Sequence, residues 1–237
     1  MIDEIQSQLV SLSNSEDGLF LQRFFKTGPG QYGEGDLFMG IRVPELRKLS
    51  IANQALSLGQ AERLLHSAYH EDRLLALLIL VRKYAKVDEA GRSAIYELYL
   101  RNTRFINNWD LVDISAEHIV GAYLSNKSRK PLDHLARSRS IWERRIAILS
   151  TFHFIRRGKF DATLQIAELL LGDKEDLIHK AAGWMLREVG KRDIQREEAF
   201  LSVHYKQMPR TMLRYAIEKF PEDRRRRFLE GTVLSRR

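Results

Sequence analysis

The sequence predicts an all-α chain built as a helical-repeat solenoid, and three observations predict it. Apolar residues recur at helical spacing almost throughout the 237 residues, as in LLALLILVRKYA (74–85), IAILSTFHFI (146–155) and ATLQIAELLL (162–171). Strand-like alternation bounded by turn signals is nearly absent. Three stretches, DRLLALL (72–78), ERRIAIL (143–149) and IHKAAGW (178–184), align at offsets of 71 and 35 residues, which sets a period near 35.

A helix-pair period of that length means stacked antiparallel helices. The spaced Trp, Gly, Tyr and Pro of a tetratricopeptide repeat are missing, so the expectation is a HEAT-like α-α superhelix forming one domain over 1–237. Such stacks curve, and one helix of each pair lines the concave side. In the alignment Leu74, Arg145 and Lys180 coincide, and Leu78, Leu149 and Trp184 coincide one turn later. One repeat is missing between the first two stretches, and WDLVD (109–113) stands where it should start. Trp109, Asp113, Arg145 and Trp184 are therefore expected to share the concave lining.

About a dozen helices are expected. Pro44, Pro131, Pro209 and Pro221 sit where helices begin, the position that tolerates proline. Asp72, Asp88, Ser140 and Asp193 are candidate N-caps. TGPGQYGEGD (27–36) holds four of the fourteen glycines and reads as a loop. Its Gly28, Gly30 and Gly33 match G-x-G-x-x-G, but a dinucleotide fingerprint needs a preceding strand, and here a helix precedes and Pro29 interrupts. Residues 210–237 carry nine basic and four acidic residues, including Arg224–Arg227. The stretch from about 222 reads as a basic tail, either solvated or touching phosphate.

Composition narrows the function classes. No run of 18 apolar residues indicates a membrane span, and the acidic start MIDEIQSQLVSLSNSEDG lacks a signal peptide's basic and apolar blocks. Cysteine is absent, which removes disulfides and thiolate metal sites and fits a cytoplasmic protein. With 39 Lys and Arg against 31 Asp and Glu, the net charge is +8, and the expected concave face is basic. Such a balance suits a phosphate backbone, because neutralising phosphates releases condensed counterions. His66 and His70 have the i, i+4 spacing of a metalloprotease pair, but Ser67 stands where that signature needs Glu, so no metal and no other cofactor is expected.

The four repeat residues suggest a chemistry. Trp109 and Asp113 are one turn apart and share a helix face, while Asp110 points about 100° away and should cap or salt-bridge. Each Trp alone reads as core packing, and Asp113 alone as half of a surface ion pair. Together, indole faces attract cations, a carboxylate between them favours positive charge, and Arg145 suits a phosphate. An N3- or N7-alkylated purine nucleotide has this pattern. Its charge weakens the bond to the sugar, and a carboxylate stabilises the oxocarbenium-like sugar left behind.

FMGIRVPELRKL (38–49), NWDLVD (108–113), SIWERRIAIL (140–149) and IHKAAGWMLREVGK (178–191) carry a closer likeness. Over about Phe24 to Phe220 the chain resembles the DNA alkylation repair family, the AlkD-type DNA glycosylases. The resemblance implies a HEAT-like superhelix that wraps duplex DNA, acts as a monomer, and excises cationic N3- and N7-alkylpurines without flipping the base. It places the aromatic pair at Trp109 and Trp184, the catalytic carboxylate at Asp113 and DNA-backbone contacts at Arg145 and Arg187. Three positions depart from the family pattern. Asn108 replaces a second Trp, Phe24 a Tyr near the site, and His153 stands where a basic side chain meets phosphate. Two other readings of the fold remain: a non-catalytic HEAT protein for damaged or branched DNA, and a protein-interaction solenoid with an apolar concave face.

Overall fold

The computed structural model describes residues 2–232. They are all-helical, with no strand among the described residues and a single isolated bridge, Leu37 to Tyr69. Among the described residues no helix is long and apolar enough to cross a membrane. The chain forms two compact units, residues 1–119 and 120–237.

The first unit contains α1 (Ile2–Ser11), α2 (Ser15–Phe24), α3 (Val43–Ala52), α4 (Leu58–Leu65), α5 (His70–Tyr84), α6 (Glu89–Arg101) and α7 (Trp109–Asp113). Local chemistry sets several starts. Asn14 caps α2 by accepting from the Glu16 and Asp17 amides, Pro44 lies in the first turn of α3, and Ser57 and Gln60 form a capping box on α4. Twelve of the fifteen residues of α5 are buried, so it is the helix on which α3, α4, α6 and α7 pack. Asp72, a candidate cap, is not one. It sits buried in the first turn of α5 and accepts from the Ser67 hydroxyl, while Tyr69 occupies the cap position without a side-chain bond.

The glycine-rich segment is a loop, and no strand precedes it, so the context of a dinucleotide fingerprint is absent. Its far end is pinned. The buried Glu71 carboxylate accepts from the amides of Met39, Gly40 and Ile41 at 3.0, 2.8 and 3.2 Å. Gly40 has a φ of 80°, and a Cβ there would lie 2.0 Å from the Asn14 carbonyl oxygen.

The second unit contains α8 (Lys130–Ala136), α9 (Ile141–Ser150), α10 (Phe152–Ile155), α11 (Asp161–Leu169), α12 (Asp176–Gly190), α13 (Ile194–His204), α14 (Arg210–Ala216) and α15 (Glu222–Glu230). Pro131, Pro209 and Pro221 stand at the starts of α8, α14 and α15. Ser140 and Asp193 cap α9 and α13, as Asp88 caps α6. Helix α12 is central, packed by α9, α13 and α14. Gly183 permits the close approach of α14: a Cβ there would meet the Met212 carbonyl oxygen at 2.4 Å. The basic tail is helical over α15, a helix that ends on Gly231 at a φ of 75°, with Arg224 paired to Glu198 and Arg225 to Glu222. Arg236 and Arg237 lie outside the described residues.

Helices α5, α9 and α12 begin at 70, 141 and 176, the spacing seen in the sequence. The intervening segment departs from it. A 3₁₀ turn (Thr103–Phe105) and Asn108 precede α7, so Asp113, not Trp109, holds the fifth helical position that Leu74, Arg145 and Lys180 hold in α5, α9 and α12. That segment is also broken. Five residues of α-helix give way to a turn and then to a π-helix, Glu117–Gly121.

Candidate nucleic-acid interface

In the first unit, Trp109 opens α7 and Asp113 closes it, and both are half-buried. A five-residue helix has little stability of its own. Its surroundings hold it. The Asn108 side chain accepts from the Trp109 amide at 2.9 Å, and the Ser115 hydroxyl donates to the Leu111 carbonyl at 2.5 Å. Behind Ser115, the buried Tyr99 hydroxyl lies 2.9 Å away. Burial pushes that phenol's pKa up, and the charge of Asp113 adds to the effect.

Trp109 lies on a ladder of rings. Phe25 stacks on it with centroids 5.2 Å apart, and Phe24 meets it edge-on at 6.1 Å. Phe25 in turn stacks on Phe38 at 5.0 Å, and Phe38 on His70 at 4.5 Å. Phe24 is 53% exposed, so this ring is free to meet a partner, whereas Phe25 and Phe38 are core.

Beneath the ladder lies a buried polar network. His70 Nδ1 is 3.0 Å from Asp36 Oδ2, and its Nε2 is 2.8 Å from Asp110 Oδ2. Arg73 pairs with the other Asp36 oxygen, and Asn108 Nδ2 donates to Asp36 at 3.2 Å. Burial opposes the imidazolium, but the Asp110 and Asp36 carboxylates outweigh it and raise the His70 pKa from 6.5 to about 9. Burial likewise opposes the Asp36 carboxylate, and His70 and Arg73 hold its pKa below the usual value. The salt bridge expected of Asp110 is present. The rest of the network had no local sign in the sequence beyond a histidine already considered, and rejected, as a metal ligand. His66 is occupied separately, 2.6 Å from Asn102 Oδ1. Among the described residues no group of three His, Asp or Glu could hold a metal ion.

In the second unit, Trp184 lies mid-way along α12 rather than near its start, and it is half-buried. Its ring is 5.9 Å from Phe152, over which the Arg156 and Arg192 guanidinium groups lie at 4.6 and 5.8 Å. Burial opposes the nearby Glu188 carboxylate, but Lys191 and Arg192, with Trp184, hold its pKa below the usual value. Arg187, one turn beyond Trp184, is paired with Glu218. Arg145 is buried, and its Nη1 donates to the Leu177 carbonyl at 2.6 Å, which ties α9 to α12. His153 is buried too, edge-on to Phe154 and packed where a Cβ on Gly121 would reach its own Cβ at 2.8 Å. Phe24, Trp109 and Asp113 thus belong to one unit, and Arg145, His153, Trp184 and Arg187 to the other.

The described residues form an all-helical fold. It is similar to a solved structure described as a predicted DNA alkylation repair enzyme from Enterococcus faecalis, with a TM-score of 0.68, 17% identity, and coverage of 89% of this chain and 97% of that one. The family model for DNA alkylation repair enzymes matches residues 5–220, and the chain belongs to that family. No curated protein matches the sequence. Membership supports a role in DNA repair, with DNA as the partner.

Proposed function

We propose that the protein is a DNA glycosylase that hydrolyses the N-glycosidic bond of N3- and N7-alkylpurines in duplex DNA, leaving the base in the stack. The observation that carries this reading is the pairing on α7. A braced, half-buried indole and a half-buried carboxylate stand one turn apart on α7.

An alkylated purine is already cationic, so it departs neutral when the bond from its ring nitrogen to the sugar's anomeric carbon breaks. The pair of electrons goes to the base. Asp113 stabilises the positive charge left on the sugar and orients a water molecule, whose oxygen forms the new bond to the anomeric carbon while its proton passes to solvent. The face of Trp109, backed by Phe25 and flanked by Phe24, attracts the same positive charge and packs on the deoxyribose. Trp184 and Arg187 are assigned to the same duplex from the second unit. Arg145 and His153, both buried in the second unit, are assigned to contacts with the DNA backbone.

The test is incubation with N-methylated duplex DNA, scoring released 7-methylguanine and 3-methyladenine together with abasic sites. Release in step with abasic sites is the expected result. Tight binding of the duplex with no released base would replace this reading with that of a non-catalytic DNA-binding protein.

A further inference from the structure

We propose that His70 is a positioning residue: by bridging Asp36 of the glycine-rich loop and Asp110 of α7, it fixes the face that Trp109 turns to its partner. The proposal rests on reading Trp109 and Asp113 as the parts that act on DNA.

The geometry runs in one line. His70 is the first residue of α5, and its amide donates to the Leu37 carbonyl at 2.8 Å, so its backbone already joins the loop to the helix. Its ring, 2% exposed, has a carboxylate at each nitrogen. Only an imidazolium donates from both nitrogens; a neutral ring would leave one carboxylate facing a lone pair. Each bridge therefore depends on the proton. One bridge ends on Asp110, next to Trp109. The other ends on Asp36, which also accepts from Asn108, the residue that caps α7. Both supports of the α7 start thus converge on one imidazole.

The ring contacts act in the same direction. Phe25 lies 5.1 Å from His70 and 5.2 Å from Trp109, so the phenyl ring separates the imidazole from the indole. The charged groups around His70 are Asp36 from the loop, Asp110 from α7 and, bonded to Asp36, Arg73 from α5. Glu71, next in α5, is directed instead to the loop amides of residues 39–41. Loss of the His70 proton would leave a donor for only one of the two carboxylates and loosen the join between the glycine-rich loop and the start of α7.

A purely structural network would lower stability when broken and leave the chemical step of the folded protein alone. A positioning residue changes that step while duplex binding survives. The experiment has two arms. In the first, His70→Gln in the otherwise unaltered chain is compared with wild type for single-turnover excision of 7-methylguanine and for duplex affinity. The expected result is excision slower by about tenfold to hundredfold, with affinity within about twofold, as small misplacements of a reacting group produce. In the second, Trp142→Phe with Trp184→Phe leaves Trp109 as the sole indole, and acrylamide quenching of its fluorescence is followed from pH 6 to 11. Quenching should rise as pH passes about 9, be high at every pH in His70→Gln, and rise at lower pH in Asp110→Asn, which keeps a hydrogen-bond acceptor but removes a charge that raises the His70 pKa. A folded His70→Gln with wild-type excision and wild-type quenching overturns the proposal. If that variant does not fold, an unchanged midpoint in Asp110→Asn overturns it. Should the wild type release no base at all, the glycosylase reading falls, and the fluorescence arm still decides the role of His70.

Discussion

Phe25 lies against the indole of Trp109 with the two planes 23° from parallel, and Phe24, its neighbour in sequence, meets the same indole edge-on at 67°. One ring is core and the other is solvent-facing, so two adjacent phenylalanines hold one tryptophan for different ends. Phe25→Ala should lower stability by about 3–5 kcal/mol, the cost of emptying a packed aromatic site. Phe24→Ala should cost less than about 1.5 kcal/mol, an edge-on pair at a half-exposed site, yet slow excision of 7-methylguanine more than its stability loss suggests. Chemical denaturation and single-turnover assays on both variants check the contrast. Equal effects of the two on excision would contradict it.

Gly183 should not tolerate a methyl group. A Cβ there faces the Met212 carbonyl oxygen at 2.4 Å and the Tyr215 Cβ at 2.6 Å, neither of which is the far end of a flexible chain. Gly183→Ala should force α12 and α14 apart and cost about 1–3 kcal/mol, read as a lower denaturation midpoint.

Two buried groups, Glu197 and His70, should each weaken folding as pH rises toward 9. Glu197 is 1% exposed, and its Oε1 has no hydrogen-bond partner among the described residues. Burial, with Glu198 nearby, raises its pKa from 4.5 to about 9. Between those values the unfolded chain has released a proton that the folded chain keeps, so folding weakens as pH rises. His70 adds to the fall: the stabilisation from its charge is complete below about 6.5 and lost as pH passes about 9. Glu197→Gln should therefore melt above wild type at pH 7–8, by about 2–4 °C for each kcal/mol recovered, and match it near pH 4. Melting curves across that range decide it; a difference that persists at pH 4 would show that ionisation is not the cause.

Arg145→Ala should separate two roles of one side chain. Loss of the bond to the Leu177 carbonyl should lower the melting temperature at every ionic strength. Loss of a phosphate contact should weaken duplex binding at low salt and matter less at high salt. Titration of DNA binding and thermal melting at two salt concentrations measures both.

Helix identity and many helix starts were legible because local chemistry dictates them: Pro44, Pro131, Pro209 and Pro221 mark starts, and Asp88, Ser140 and Asp193 are caps. The spacing of α5, α9 and α12 was legible because each buries an apolar face at the same period. The register of Trp109 was not, since the 3₁₀ turn at 103–105 and the Asn108 cap delay the start of α7 without disturbing the apolar pattern. Nor was the His70 network. Its partners stand 34 and 40 positions away, and no local period reports such pairing. Asp72 looked like a cap because it precedes an apolar run, yet α5 starts two residues earlier at His70. The burial of Arg145 and His153 likewise depends on which neighbours close over them.

The most direct measurement is single-turnover release of 7-methylguanine from a duplex by wild type and Asp113→Asn, with duplex affinity measured alongside. A carboxylate that stabilises the departing sugar predicts a loss of at least about a hundredfold in rate with affinity nearly unchanged. Equal rates for the two proteins would contradict the account.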